Sequence, residues 1–161
     1  MTTTLDSDVE AVPWLDPDQQ RCWRAFLAGT SVLKDSLNRQ LESASNLTLH
    51  EYEILVQLSE APDRAMRMST IAQRLFHSRS RVTHTARRLE ARGLVRRVAC
   101  GHDGRGVNCV LTDAGMLAIE EAAPGHVGAV RRHLIDLMSP EEARVLHALM
   151  ERVAATASRY A

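Results

Sequence analysis

Residues 68–112 read as two helices joined by a tight turn, followed by a β-hairpin with a glycine-rich tip. Ser69 can cap the first helix, which runs from residue 70 to about 75 with Ile71, Ala72 and Leu75 facing inward. Ser78 can cap the second, and Gly93 supplies a natural left-handed stop. Residues 94–100 and 107–111 are rich in Val and read as strands, with three glycines in the tip between them. This stretch also holds the charge. Residues 64–105 carry eleven arginines against two acids, Glu90 and Asp103, a local +9 that the rest of the chain cancels with −9. A net charge of zero therefore hides a segment suited to a polyanion.

The helix between Ser78 and Gly93 has two faces. Placed at 100° intervals, Val82, Thr85, Ala86 and Leu89 fall on one side and suit packing. Ser80, Thr83, His84 and Arg87 fall opposite, flanked by Ser78, Arg79 and Arg81 near the N-terminus. A helix that reads DNA needs this division, because one face must be held while the other meets base edges and phosphates in the major groove. In the hairpin, Arg105 lies between two glycines and His102 and Asp103 precede it. A long cation at such a tip can enter a minor groove or follow a phosphate row. Arg97 adds a cation on the first strand, and Asp103 can pair with an arginine or form the turn.

The wing residues Asp103, Arg105, Leu111, Thr112 and Gly115 follow an Asp-x-Arg, five-residue gap, Leu-Thr-x-x-Gly pattern. With residues 88–95, RLEARGLV, they resemble the winged helix-turn-helix of the MarR (multiple antibiotic resistance regulator) family of bacterial transcription factors. The resemblance covers nearly the whole chain. It implies a mainly α fold with a small β-wing, and long helices that pair two copies. Residues 1–15 would be a flexible extension, 16–46 a dimerisation helix, 47–111 the winged DNA-binding head and 112–161 further dimerisation helices. It further implies a homodimer on a pseudo-palindromic double-stranded DNA site, most often as a repressor released by a small, phenolic or aromatic-acid effector.

The flanking residues agree with long helices. Asp16-Pro17 resembles a helix start, and Trp23, Phe26, Leu27, Leu33, Leu37 and Leu41 recur at helical spacing. Thr48 with Glu51, and Ser139 with Glu142, form capping boxes. Apolar positions from Ala114 to Leu137 mark another long helix, in which Pro124 should introduce a kink. Val145, Leu146, Leu149, Met150 and Val153 mark the inward side of a last helix reaching about residue 160. Three long amphipathic helices around a small head are too much apolar surface for one copy to cover.

Trp23, Arg24 and Tyr52 are candidates to line the ligand pocket that the resemblance implies, although Trp23 and Tyr52 equally suit a core. Some relatives sense peroxide through a first-helix cysteine. Cys22, between Arg21 and Arg24, is the candidate here, against the alternative of a small buried hydrophobe. Cys100 and Cys109 flank the wing tip and can approach each other across the hairpin. The three cysteines have no CxxC spacing, and the seven histidines suggest no metal site, His126 and His133 being two turns apart. There is no HExxH, no GxSxG and no phosphate loop, so neither catalysis nor a cofactor is expected. No apolar run is long enough to span a membrane, and the first residues do not read as a signal peptide. The expectation is a cytoplasmic bacterial regulator, nucleoid-associated when bound to DNA.

Overall fold

The computed structural model describes residues 13–99 and 106–157. Most of the expected N-terminal extension and the wing-tip residues Cys100, His102, Asp103 and Arg105 therefore lie outside the described residues. The elements in order are α1 (Pro17–Ser45), α2 (Leu49–Ser59), a 3-10 turn (Pro62–Arg64), β1 (Ala65–Arg67), α3 (Met68–Arg74), α4 (Arg79–Ala91), β2 (Val95–Ala99), β3 (Val107–Leu111), α5 (Asp113–His133), a second 3-10 turn (Ile135–Leu137) and α6 (Pro140–Ala157). The fold is mainly α with a small antiparallel sheet. The chain divides into two compact units, residues 1–32 and 33–161.

In the first unit α1 begins where its cap demands. Asp16 Oδ1 accepts from the Gln19 amide at 2.8 Å and Gln19 Oε1 accepts from the Asp16 amide at 3.0 Å, with Pro17 at the first helical position. The Trp23 and Phe26 rings stack at 6.1 Å along the helix and, with Leu27, stay exposed.

The second unit holds the core. Leu41, Leu47, Ile54, Leu55, Leu58, Ile71 and Leu89 are fully buried, drawn from α1, α2, α3, α4 and the loop at Leu47. Burying each such side chain contributes about 1.5–3 kcal/mol. The sheet order is β1-β3-β2, with Met66 and Arg97 both opposite Cys109, and Val95 opposite Leu111. β1 was not foreseen. It has three residues with only Met66 buried, too short to show alternation.

Three local expectations change. Ser69 does not cap α3, which starts two residues earlier than expected, at Met68, with Arg67 at the cap position and no side-chain cap bond. β2 begins at Val95 instead of Leu94, and its expected end at Cys100 lies outside the described residues. α6 buries none of its residues: of the side expected inward, Val145 (63%), Leu149 (42%) and Val153 are exposed, and Leu146 and Met150 are half-buried. Elsewhere the caps fall as read: Thr48 and Glu51 bond reciprocally, as do Ser139 and Glu142. At Pro124, where a kink was expected, α5 continues as one helix from Asp113 to His133.

Candidate nucleic-acid interface

The two-faced pattern of α4 is realised in three dimensions. Ser78 adopts an extended conformation and its Oγ accepts from the Arg81 amide at 3.3 Å, starting the helix. Val82, Thr85, Ala86 and Leu89 are buried. Ser78, Arg79, Ser80, Arg81, His84 and Arg87 are exposed, and Thr83 is half-buried with its hydroxyl donating to the Arg79 carbonyl at 2.8 Å. The helix thus presents one continuous polar face, anchored from behind by small and aliphatic groups.

The arginines sort into two kinds. Glu51, 1% exposed, completes the α2 capping box and also faces two α4 cations, Arg88 at 3.3 Å and Arg92 at 3.5 Å. One buried carboxylate therefore ties the start of α2 to the end of α4. Arg97 is likewise engaged: its Nε and Nη2 each lie 2.7 Å from Glu90 Oε2, and its amide donates to Glu90 Oε1 at 2.9 Å. These bonds hold the Glu90 carboxyl below its ordinary range. Arg64 pairs with Asp113 at 3.1 Å. Arg79, Arg81 and Arg87 have no acidic partner among the described residues. Arg79 and Thr83 line a cleft of about 440 Å³ with Arg67, Ser69 and Arg97, where α4 meets β1, the start of α3 and the wing.

The wing is fastened to α5 by the Leu-Thr-x-x-Gly residues, each for a separate reason. Leu111 is a core residue. Thr112 caps α5 by accepting from the Gly115 amide at 3.0 Å, and its hydroxyl donates to the Gly93 carbonyl at 2.7 Å. Gly93 itself takes a positive φ of 72°, which ends α4 and turns the chain into β2. Gly115 lies so close to Leu94 that a Cβ there would overlap its carbonyl oxygen and sit 2.6 Å from Leu111 Cδ1.

The remaining candidates are scattered. Cys22 is exposed and free, with Arg21 paired to Asp18 and Arg24 donating to Gln20 at 3.3 Å. Cys109 is buried and its thiol is pushed up to about 12, chiefly by that burial, which makes it inert as a nucleophile. Trp23 and Arg24 belong to the first unit and Tyr52 to the second. Tyr52 is buried, with its ring 4.6 Å from that of His126 on α5. Burial raises the Tyr52 phenol and lowers the His126 imidazole, the latter opposed by the field of Glu53. Gln40 Oε1 and His126 Nδ1 are buried without a hydrogen-bond partner among the described residues.

One grouping was missed by reading the histidines in sequence. His50, Glu53 and His77 bring one ligand atom each to within 4.8 Å of one another. His50 and Glu53 are one helical turn apart and legible as neighbours, but His77 reaches them only through the fold. Burial, then the neighbouring His50, lowers the His77 pKa against the pull of Glu53.

The family model for the MarR family matches residues 45–106, which contain α2, α3, α4 and β2. The HTH-type transcriptional regulator PecS of Dickeya dadantii (strain 3937) is 34% identical over 129 residues, covering 79% of this chain and 76% of PecS. The HTH-type transcriptional repressor MdtR of Bacillus subtilis (strain 168) is 30% identical over 107 residues, covering 66% of this chain and 69% of MdtR. Among solved structures, the MarR family transcriptional regulator Sco3205 from Streptomyces coelicolor, in complex with DNA, superposes with a TM-score of 0.87. It is 38% identical, covering 89% of this chain and 90% of Sco3205.

Proposed function

The chain belongs to the MarR family of transcriptional regulators, and on that premise we propose that it is a homodimeric repressor, binding a pseudo-palindromic DNA site and released by a small ligand. The observation that carries the DNA reading is the open face of α4. Arg88, Arg92 and Arg97 are spent on internal carboxylates, whereas Arg79, Arg81 and Arg87 are exposed without acidic partners among the described residues. The retained charge lies on the face that also carries Ser80, Thr83 and His84, where a major groove would be read. Arg97 contributes as a braced cation at the edge of the same cleft. His102, Asp103 and Arg105 keep their proposed role in gripping the flanking groove.

Pairing of two copies is supported by apolar surface that one copy leaves open. In the first unit this is Trp23, Phe26 and Leu27; in the second it is Val145, Leu149 and Val153. A second copy would cover these faces and set two heads about one helical turn of DNA apart, roughly 34–36 Å. Repression is the role named for MdtR. Ligand response is supported by the packed Tyr52 and His126 rings, by His126 Nδ1 and by Gln40, whose amide lies against neighbouring Gly125: His126 Nδ1 and Gln40 Oε1 are buried without a hydrogen-bond partner among the described residues. A ligand bound there acts only by favouring the conformation that does not fit DNA.

The test is a DNA selection followed by affinity measurements across salt. If Arg79 and Arg81 of both heads each meet a phosphate, log affinity falls with log salt with a slope of about −3.6 or steeper. Alanine at Ser80, Thr83, His84 or Arg87 changes the selected sequence, whereas Arg105→Ala weakens binding to all sequences. A flat salt response, or a selection that enriches nothing, refutes the proposal.

A further inference from the structure

The turn before α4 carries a second chemical feature, separate from the polar face of that helix. His50 and Glu53 stand one turn apart at the start of α2, and His77 immediately precedes the cap Ser78. Glu53 Oε2 lies 3.3 Å from His50 Nδ1 and 3.9 Å from His77 Nε2. The two imidazoles meet edge to face at 4.6 Å. Ligands bound tetrahedrally at about 2.0–2.1 Å stand roughly 3.3 Å apart. The carboxylate and His50 already have that separation, whereas His77 must close on Glu53 by about half an ångström and on the His50 nitrogen, which lies within 4.8 Å, to the same spacing. We propose that His50, Glu53 and His77 form a binding site for a divalent transition cation that fastens the α3–α4 turn to α2.

The donor set selects the class of ion. Two imidazoles and one carboxylate, without a thiolate, suit zinc and its neighbours and leave a position for water. His77 presents Nε2 toward the site while its Nδ1 is buried with no partner among the described residues, where packing rather than a hydrogen bond orients the ring. Glu53 is the one carboxylate among the three ligands, and Arg81 and Lys34 also face His77, which limits the affinity for a cation. The mechanical consequence follows from position. Phe76 has a positive φ of 52°, and the His77 amide donates to the Ala72 carbonyl at 3.0 Å. A metal bond on His77 therefore pins the strained turn that sets where α4 begins.

Chelator-treated full-length protein is titrated with Zn²⁺ against a chromogenic competitor, and amide exchange is followed around the turn. The expected result is one zinc per chain, lost at least tenfold in affinity in His50→Gln, Glu53→Gln and His77→Gln, and unchanged in His147→Gln on the exposed side of α6. His50 is half-exposed, so His50→Gln keeps its fold, checked by its helical circular dichroism. Zinc should slow exchange of the 77–80 amides at least tenfold in wild type and leave it unchanged in His50→Gln. Absence of stoichiometric zinc, or binding that survives all three ligand variants, overturns the site. Stoichiometric zinc with unchanged exchange overturns the fastening of the turn. Neither readout involves DNA, so they stand apart from the regulatory reading.

Discussion

Gly115→Ala places a methyl group where the first turn of α5 meets the backbone that leaves α4. The new Cβ overlaps the Leu94 carbonyl oxygen and lies 2.6 Å from Leu111 Cδ1 and 3.1 Å from the Leu94 carbonyl carbon. Side chains can rotate away; the Leu94 peptide cannot, because its oxygen accepts from the Thr112 amide at 3.1 Å and the adjacent Gly93 oxygen from the Thr112 hydroxyl at 2.7 Å. Overpacking of this kind costs about 1–3 kcal/mol. Separating the segments also weakens two hydrogen bonds at about 1 kcal/mol each. Better helix propensity returns about 1 kcal/mol. The net loss is about 2–4 kcal/mol, or a fall in Tm of roughly 4–16 °C for a chain of this size. Urea and thermal unfolding at one fixed protein concentration measure it, since pairing would make Tm depend on concentration. Gly128→Ala is the control, because its Cβ meets only the mobile end of Arg132 at 3.3 Å and should be neutral or stabilising. A Gly115→Ala protein as stable as wild type would refute the close-approach account of this glycine.

Further outcomes concern the supports of α4. Glu51→Gln keeps the capping geometry but removes the charge facing Arg88 and Arg92, which are 55% and 34% exposed and remain solvated. The expected loss is about 1 kcal/mol, and Glu51→Ala should roughly double or treble it by removing the cap as well. Equal unfolding midpoints for the two variants would contradict the dual role. Because burial lowers the folded-state pKa of His126, the unfolded chain takes up this proton first as pH falls. Stability from the neutral ring is present above about pH 6.5 and declines as pH drops from there toward the folded value. His126→Asn should flatten that part of the stability–pH curve; an unaltered slope would remove His126 as a cause. Glu90→Gln should loosen Arg97 and show as faster amide exchange along β2, and unchanged exchange would mean that the bracket does not hold the wing.

The periodic features were legible before any coordinates. The buried set of α4 is the set projected from its sequence, and the caps at Ser78, Thr48 and Ser139 lie where their hydrogen-bond chemistry put them. Such features depend on residues three or four apart, so local geometry settles them. Ser69 misled because a neighbouring Met68 could begin the helix without a side-chain cap. The apolar side of α6 was legible as a pattern, but a pattern shows only that a face is apolar and not what packs on it, and the structure leaves that side open.

The sequence by itself determined the helix–turn–helix and hairpin order, the two faces of α4 and the concentration of arginine around them. The tertiary structure decided which arginines remain available. Glu51 and Arg92 are 41 residues apart, and only the docking of α2 on α4 makes the acid of a capping box also the partner of two cations. The same docking gathers His77 with His50 and Glu53, and the close passage of α5 over Leu94 gives Gly115 its reason. Charge and periodicity are properties of a segment. Neutralisation, ligation and exclusion of a Cβ need groups from distant segments within a few ångströms, and that proximity exists only once the core has packed.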